Sequence, residues 1–246
     1  MDNTTGKSVA VKRIINFSGG RTSALMTLLE YNPATDYVVF CDTGREHPKT
    51  YKFINDFEAY ENIPIVRLGG KSTFDEYLKK NHYNVPNMMK RSCTVEMKIK
   101  PARRWARKNI GMQYVNLIGF RHDEPQRVAR NKSRWNKVVN VYPLNDRMIT
   151  KQNVLDFWKQ KPYDLEIPSI LGNCTLCFMK GKNAIINILK HDPSLALPWI
   201  EDERKSEHTY LTGIRIEQLL KLSQQPDLFN QELTNINPAY DCACTT

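Results

Sequence analysis

Two stretches of this chain hold residue types in patterns that do chemistry. In NFSGGRTSA, residues 16–24, a glycine pair and three hydroxyls flank an arginine, between an apolar run and a stretch of helical spacing. Gly19 and Gly20 let the backbone turn with its N–H groups facing one way, and a following helix adds free N–H groups and a positive dipole end. Such a nest binds phosphate. Ser18, Thr22 and Ser23 can add hydroxyl donors, and Arg21 a guanidinium fork suited to phosphoryl oxygens. The letters match neither a Walker A loop nor the G-x-G-x-x-G of dinucleotide folds, and a plain strand-to-helix turn capped by serine fits them too. In LGNCTLCFMKGK, Cys174 and Cys177 are two thiols three positions apart in a turn-forming setting, able to grip one metal ion or one edge of a cluster. The C-terminal YDCACTT adds Cys242 and Cys244, either of which can bring the thiol count toward the usual four.

These residues need elements to position them. VKRIINFS is a short β-branched and aromatic run, and SALMTLLEYN spaces its apolar residues as a helix does. The unit repeats: YVVFCDTG is a strand, HPKTYKFINDFEAYE a helix opened by Pro48, and PIVRLGG a further strand. KPARRWARKN then predicts a basic helix, YVNLIGFR a strand, and TKQNVLDFWKQ a helix with Thr150 as N-cap. The alternation implies an α/β fold, an open and mostly parallel sheet with helices on both faces. Beyond about residue 165 it fades into loops, NAIINILK and the helix GIRIEQLLKLSQ. The expected division is a nucleotide-binding α/β domain over 1–165 and a cysteine-bearing C-terminal region over 166–246.

Composition sets the frame: 246 residues, 41% hydrophobic and 25% charged, suffice for a single globular domain with a small appendage. No apolar run approaches the roughly 18 residues of a membrane span. The opening MDNTTGKSVAVKR lacks the basic-then-apolar order of a secretory signal, so a cytoplasmic location without membrane partners is expected. Six cysteines then favour metal or redox use over a secreted disulfide scaffold. The net charge of +10 suits phosphate-bearing partners, nucleotide or nucleic acid. Cys41 is expected to be a small buried strand residue rather than a ligand.

SGGRTS resembles the S-G-G-x-D-S pyrophosphate loop of the PP-loop ATP pyrophosphatase superfamily, whose fold is of the adenine nucleotide alpha-hydrolase-like type, with Thr22 in the place of the aspartate. Four further segments, FCDTGREHPKTYKFI (40–54), RSCTVEMKIKP (91–101), GFRHDEPQR (119–127) and YPLNDRMITKQNVLDFW (142–158), resemble in the same order segments of the phosphoadenylyl-sulfate (PAPS) reductase family. The resemblance implies an adenine nucleotide, PAPS or ATP, across the carboxyl edge of the sheet. Its phosphates would lie on Ser18, Gly19, Gly20, Arg21, Thr22 and Ser23, and its adenosine near Asp42, Thr43 and Gly44. Gly119, Arg121 and Arg127 would face the anionic end. Reductases of this kind that carry a [4Fe–4S] cluster have a cysteine pair where this chain has Ser92-Cys93, followed by C-x-x-C. That implies Cys93, Cys174 and Cys177 as ligands, with Cys242 as a candidate fourth. Zinc, or no metal, stays open beside the cluster.

Three functions are compatible with this resemblance. As a sulfonucleotide reductase, an oxidoreductase, the chain would use Cys242 or Cys244 as nucleophile, Arg121 to hold the phosphosulfate, and a thioredoxin-like reductant. Its tail departs from the family pattern by lacking the glycine and histidine after the cysteine. As an ATP-dependent sulfurtransferase it would resemble the enzymes of DNA phosphorothioation and tRNA thiolation. It would then cleave ATP with Mg²⁺ and Arg21 on the pyrophosphate, draw sulfur from a cysteine desulfurase, and hold DNA or tRNA on Arg103, Arg104, Arg107, Lys108, Arg130, Lys132, Arg134 and Lys137, with Trp105 and Trp135 stacking bases. As a zinc-stabilised nucleotide-binding module it would not catalyse.

Overall fold

The computed structural model describes residues 11–131, 137–168, 171–172 and 174–225, so Lys132, Arg134, Trp135, Cys242 and Cys244 lie outside the described residues. Strand β1 (Arg13–Phe17) leads through the glycine pair into α1 (Arg21–Glu30), followed by β2 (Asp36–Asp42), α2 (Pro48–Glu61) and β3 (Ile65–Gly69). Helix α3 (Thr73–Lys80) precedes a continuous helical run of α4 (Ser92–Thr94), a π-helical segment (Val95–Ile99) and α5 (Lys100–Asn109). Strand β4 (Tyr114–Leu117), α6 (Pro125–Arg130), β5 (Val138–Val141), α7 (Pro143–Asp146) and α8 (Lys151–Trp158) complete the first part. Helices α9 (Lys182–His191), α10 (Leu197–Arg204) and α11 (Ile216–Ser223) make up the rest.

The five strands form one sheet in the order β3-β2-β1-β4-β5, every pair parallel. Period-2 alternation sends Ile15, Phe17, Val38 and Phe40 to the face covered by Met26, Phe53, Phe57 and Trp158. Ile14, Val39, Tyr114 and Val138 face the other way, onto Ala106 of α5. Covered on both faces, the strands read as apolar runs rather than as a clean polar alternation. Local signals place the helices. Pro48 stands in the first turn of α2 behind His47, whose ring accepts from the Lys49 N–H. Thr150 and Asn153 form a capping box on α8.

A second apolar core joins Phe74, Tyr77 and Leu78 of α3 and Met97 to Leu176, Phe178, Ile185, Ile188, Trp199, Tyr210 and Leu219. Residues after 165 thus share their packing with α3 and the π-helical segment, which come from before that point. Among the described residues no helix is long and apolar enough to cross a membrane.

Candidate functional site

The chain runs from β1 through β2 to β3 on one side of the sheet and from β4 to β5 on the other, so β1 and β4 flank a topological switch point. In open α/β sheets ligands bind in the crevice at the carboxyl ends of the strands at such a point. The Ser18–Ser23 loop follows β1, Asp42–Gly44 closes β2, and Gly119–Arg121 follows β4.

The glycine loop is braced from within. Ser23 Oγ accepts from the Ser18 N–H (3.0 Å), donates to the Gly20 carbonyl (3.0 Å) and lies 3.0 Å from Ser18 Oγ. Its hydroxyl holds the turn and is buried, while Ser18 and Thr22 are half-buried. Gly19 has φ +76°, and a Cβ there would come 2.8 Å from Thr50 Cγ2, so only glycine fits. A Cβ on Gly20 would meet only Ser18 Oγ at 3.7 Å, leaving the space over this backbone open. The first N–H groups of α1 have no intrahelical partner, and no carboxylate stands in its first turn. Buried beside Gly19, the Thr50 hydroxyl makes no hydrogen bond among the described residues.

Arg21 sits elsewhere than the spacing suggests. Its fork grips Asp164 (Nε–Oδ1 2.7 Å, Nη2–Oδ2 2.8 Å) and donates to the carbonyls of Leu165 and Ile167. It therefore ties the segment after α8 to the loop, helped by the Trp158 indole N–H on the Arg21 carbonyl (2.9 Å). Arg121 reaches the loop instead. Buried, it stands 3.5 Å from Thr22 Oγ1 and is held by Asp123 (2.9 Å) and Glu124 (3.7 Å). Burial works against the Asp123 carboxylate, yet the Arg121 guanidinium donating to it holds its pKa below the usual range. Arg127 pairs with Glu124 (2.5 Å) and lies 4.3 Å over the Phe120 ring. On the other side Asp42 accepts from the Gly44 N–H and the Tyr51 hydroxyl, both at 2.8 Å. Burial first, and the Asp42 carboxylate second, push the Tyr51 phenol well up, so it stays a donor.

The cysteine hairpin docks onto this second loop. Glu46 and Cys174 form an antiparallel bridge, the Thr175 N–H donates to the Arg45 carbonyl (3.0 Å), and Thr43 Oγ1 lies 3.3 Å from Cys174 Sγ. Cys93, Cys174 and Cys177 line one open pocket with Thr43, Met97 and Trp199, about 380 Å³ with its mouth included. The buried Lys180 ammonium donates to the carbonyls of Cys174 (2.9 Å) and Thr175 (2.8 Å), placing positive charge on the hairpin. Among the described residues no three Cys, His, Asp or Glu side chains stand close enough to hold a metal ion. Cys41 lies apart, against the Lys98 carbonyl (3.5 Å), and burial pushes its thiol up to about 11.

Sequence spacing brought Cys174, Cys177 and the glycine loop into view and the family resemblance added Cys93 and the loop after β2, but neither reached Tyr51, Thr50 and Lys180, which declare themselves only through tertiary contact. Trp105, expected to stack on bases, is half-buried and packs edge-on against Tyr37 at 5.2 Å, covering the sheet. The basic side chains around it, Arg103, Arg104, Arg107 and Lys108, are exposed.

The uncharacterised nin region protein ORF290 of Escherichia phage lambda is 30% identical over 203 residues, 70% of this chain and 67% of that protein. Two uncharacterised proteins of Methanocaldococcus jannaschii match over 53% of the chain. MJ0066 is 29% identical over 140 residues and MJ0973 35% over 139 residues. The chain covers only 28% and 32% of their respective lengths. Among solved structures, PAPS reductase from Candida auris in a phosphate complex superposes with TM-score 0.43 at 19% identity, covering 62% of this chain and 75% of that one. The U34-tRNA thiolase NcsA from Methanococcus maripaludis, with its [4Fe-4S] cluster, gives TM-score 0.38 at 15% identity over 95% of this chain and 80% of that one. The model of the phosphoadenosine phosphosulfate reductase domain matches residues 12–165, well over half of the sequence, and the chain belongs to that family of PP-loop proteins.

Proposed function

We propose that the chain binds an adenine nucleotide along the carboxyl edge of its sheet and uses it for sulfur chemistry at the thiol pocket. The observation that carries this reading is the 3.3 Å approach of Thr43, in the loop that closes β2, to Cys174 Sγ. The glycine loop takes the phosphates on backbone N–H groups, with Ser18, Thr22 and Arg121 around them. Arg21 holds the Asp164–Ile167 segment in place. Asp42, Thr43 and Gly44 lie on the nucleoside side.

Cys93, Cys174 and Cys177 suit a thiolate-held centre by donor type, since no carboxylate lines their pocket. When bound there, an iron–sulfur cluster supplies electrons or sulfur, whereas zinc supplies a cross-link. Cys242 is the candidate fourth thiol.

In the first reading the reaction is sulfonucleotide reduction. A cysteine thiolate, Cys242 or Cys244, attacks the sulfur of the bound sulfonucleotide. An S–S bond forms as the S–O bond to phosphate breaks, and the nucleotide leaves with the electron pair. A dithiol reductant then supplies two electrons and sulfite departs. The buried Arg121 meets the charge that grows on the departing phosphate. A specific observation favours a second reading, ATP-dependent sulfur insertion into a nucleic acid. The helical run 92–109 starts in the pocket at Cys93 and ends in the exposed Arg103, Arg104, Arg107 and Lys108, a track suited to a phosphate backbone.

The test uses one anaerobic preparation. Intact mass after mixing with PAPS gains a sulfonate on a tail cysteine if the first reading holds. Pyrophosphate released from ATP only when DNA or tRNA is added marks the second. Neither signal, in protein that binds the nucleotide, overturns sulfur chemistry at this site.

A further inference from the structure

The cysteine hairpin is made of two successive tight turns. The Cys177 N–H donates to the Cys174 carbonyl (3.2 Å), and the Lys180 N–H donates to the Cys177 carbonyl (2.9 Å) at the end of a short 3₁₀ turn (Phe178–Lys180). From there the Lys180 side chain folds back along the hairpin, and its ammonium donates to the Cys174 and Thr175 carbonyls at 2.9 and 2.8 Å. The residue is only 6% exposed, on a hairpin whose Leu176 and Phe178 belong to the second apolar core.

An ammonium taken out of water is costly unless opposite charge meets it, and carbonyl oxygens carry only partial charge. Holding the turn needs N–H donors. It does not need a full positive charge. The negative charge that calls for one gathers on the same hairpin when its thiols are loaded. A divalent metal on three or four thiolates keeps a net negative charge, as does an iron–sulfur cluster held in that way. Glu46, buried and bridged to Cys174, adds a carboxylate that accepts from the Thr43 hydroxyl (3.0 Å). Lys98 lines the pocket from the helical run of Cys93 but is half-buried, whereas the Lys180 charge is sealed from solvent and its screening.

We infer that Lys180 is the positioning residue of the thiol centre. It fixes the hairpin through the Cys174 and Thr175 carbonyls, and its charge offsets the thiolates once they hold a metal. This inference rests on the thiolate-held centre proposed above and adds to it a residue that makes no bond to the metal.

The test is Zn²⁺ binding to the reduced, metal-free full chain, read by competition with a chromophoric chelator. Three variants separate charge from hydrogen bonding. Lys180→Arg keeps the charge and the N–H donors, Lys180→Gln keeps N–H donors without charge, and Lys180→Met keeps little but the length. Thermal unfolding of each metal-free variant shows that it is folded, and if Lys180→Met is not, the comparison of Lys180→Gln with Lys180→Arg decides. Lys180→Gln and Lys180→Met are expected to bind Zn²⁺ about 10- to 100-fold more weakly than the parent, the range that losing a residue behind the ligands costs. Lys180→Arg should bind close to the parent. Parent affinity in Lys180→Gln overturns the inference alone, because a part in the turn without the charge predicts that result. An equal loss in folded Lys180→Arg and Lys180→Gln overturns it too. A parent protein that takes up no Zn²⁺ overturns the thiolate-held centre and this inference with it.

Discussion

At Gly19 and Gly20 the same residue type carries two different constraints. Gly19 is required by the fold: its φ of +76° and the 2.8 Å approach to Thr50 leave no room for a side chain. Replacing it by valine combines left-handed strain, about 1 kcal/mol for a residue with a Cβ, with displacement of Thr50 and Ile54. A clear drop in the midpoint of thermal unfolding is expected. Gly20 is not required by the fold, and on the proposed reading it is required by the ligand. Its φ of −112° suits any residue and its Cβ would meet nothing closer than 3.7 Å, so Gly20→Val should unfold within a few degrees of the parent protein and lose nucleotide binding by calorimetry. A folded Gly20→Val variant with unchanged affinity removes the phosphate assignment. Sequence pattern alone treats the two glycines as a pair. Only the backbone angles and the neighbouring α2 separate them.

At the scale of elements, the loop after β2 is braced by one helix that follows soon after it and one that arrives late in the chain. Arg45 pairs with Asp202 of α10 and Asp75 of α3, each at 3.0 Å, and lies 5.0 Å from the Phe74 ring. Tyr210 donates to the same Asp202 carboxylate at 2.9 Å. Burial raises the pKa of Asp202, with Arg45 opposing, so the charged carboxylate costs stability above that pKa and the cost is relieved as pH falls through it. Arg45→Met leaves the buried carboxylate without its counter-charge. The variant should lose about 3 kcal/mol at neutral pH, and the loss should shrink at about pH 5, where more of Asp202 is protonated. Urea titrations of both proteins at the two pH values check this. An equal deficit at both would show that Asp202 does not feel Arg45. The helices of the molecule as a whole were only partly legible in sequence. Pro48 and Thr150 announced α2 and α8 because capping chemistry is local. Helix α3 and strand β5 gave no such notice, since TFDEYLKK and VVNV are too short for periodicity to decide, and packing against α9–α11 and β4 settles them.

For the whole molecule, two cores meet along one seam, and the candidate chemistry lies on it. The sheet with α1, α2 and α8 supplies the nucleotide loops, and the core of α3 and α9–α11 supplies the cysteine hairpin. The family resemblance made both halves recognisable from sequence, yet the contact between Thr43 and Cys174 joins residues 131 positions apart and no spacing rule reaches that far. The same distance hid the role of Arg21, whose partner Asp164 lies 143 positions away. If the seam is one working site, nucleotide and thiol chemistry are coupled. The most direct measurement is the alkylation rate of Cys174 in metal-stripped protein, followed by peptide mass with and without saturating ADP. Cys41, its thiol pushed up to about 11, serves as the slow internal reference. A single site predicts that ADP slows Cys174 and leaves Cys41 unchanged, whereas an identical Cys174 rate in both samples would contradict it.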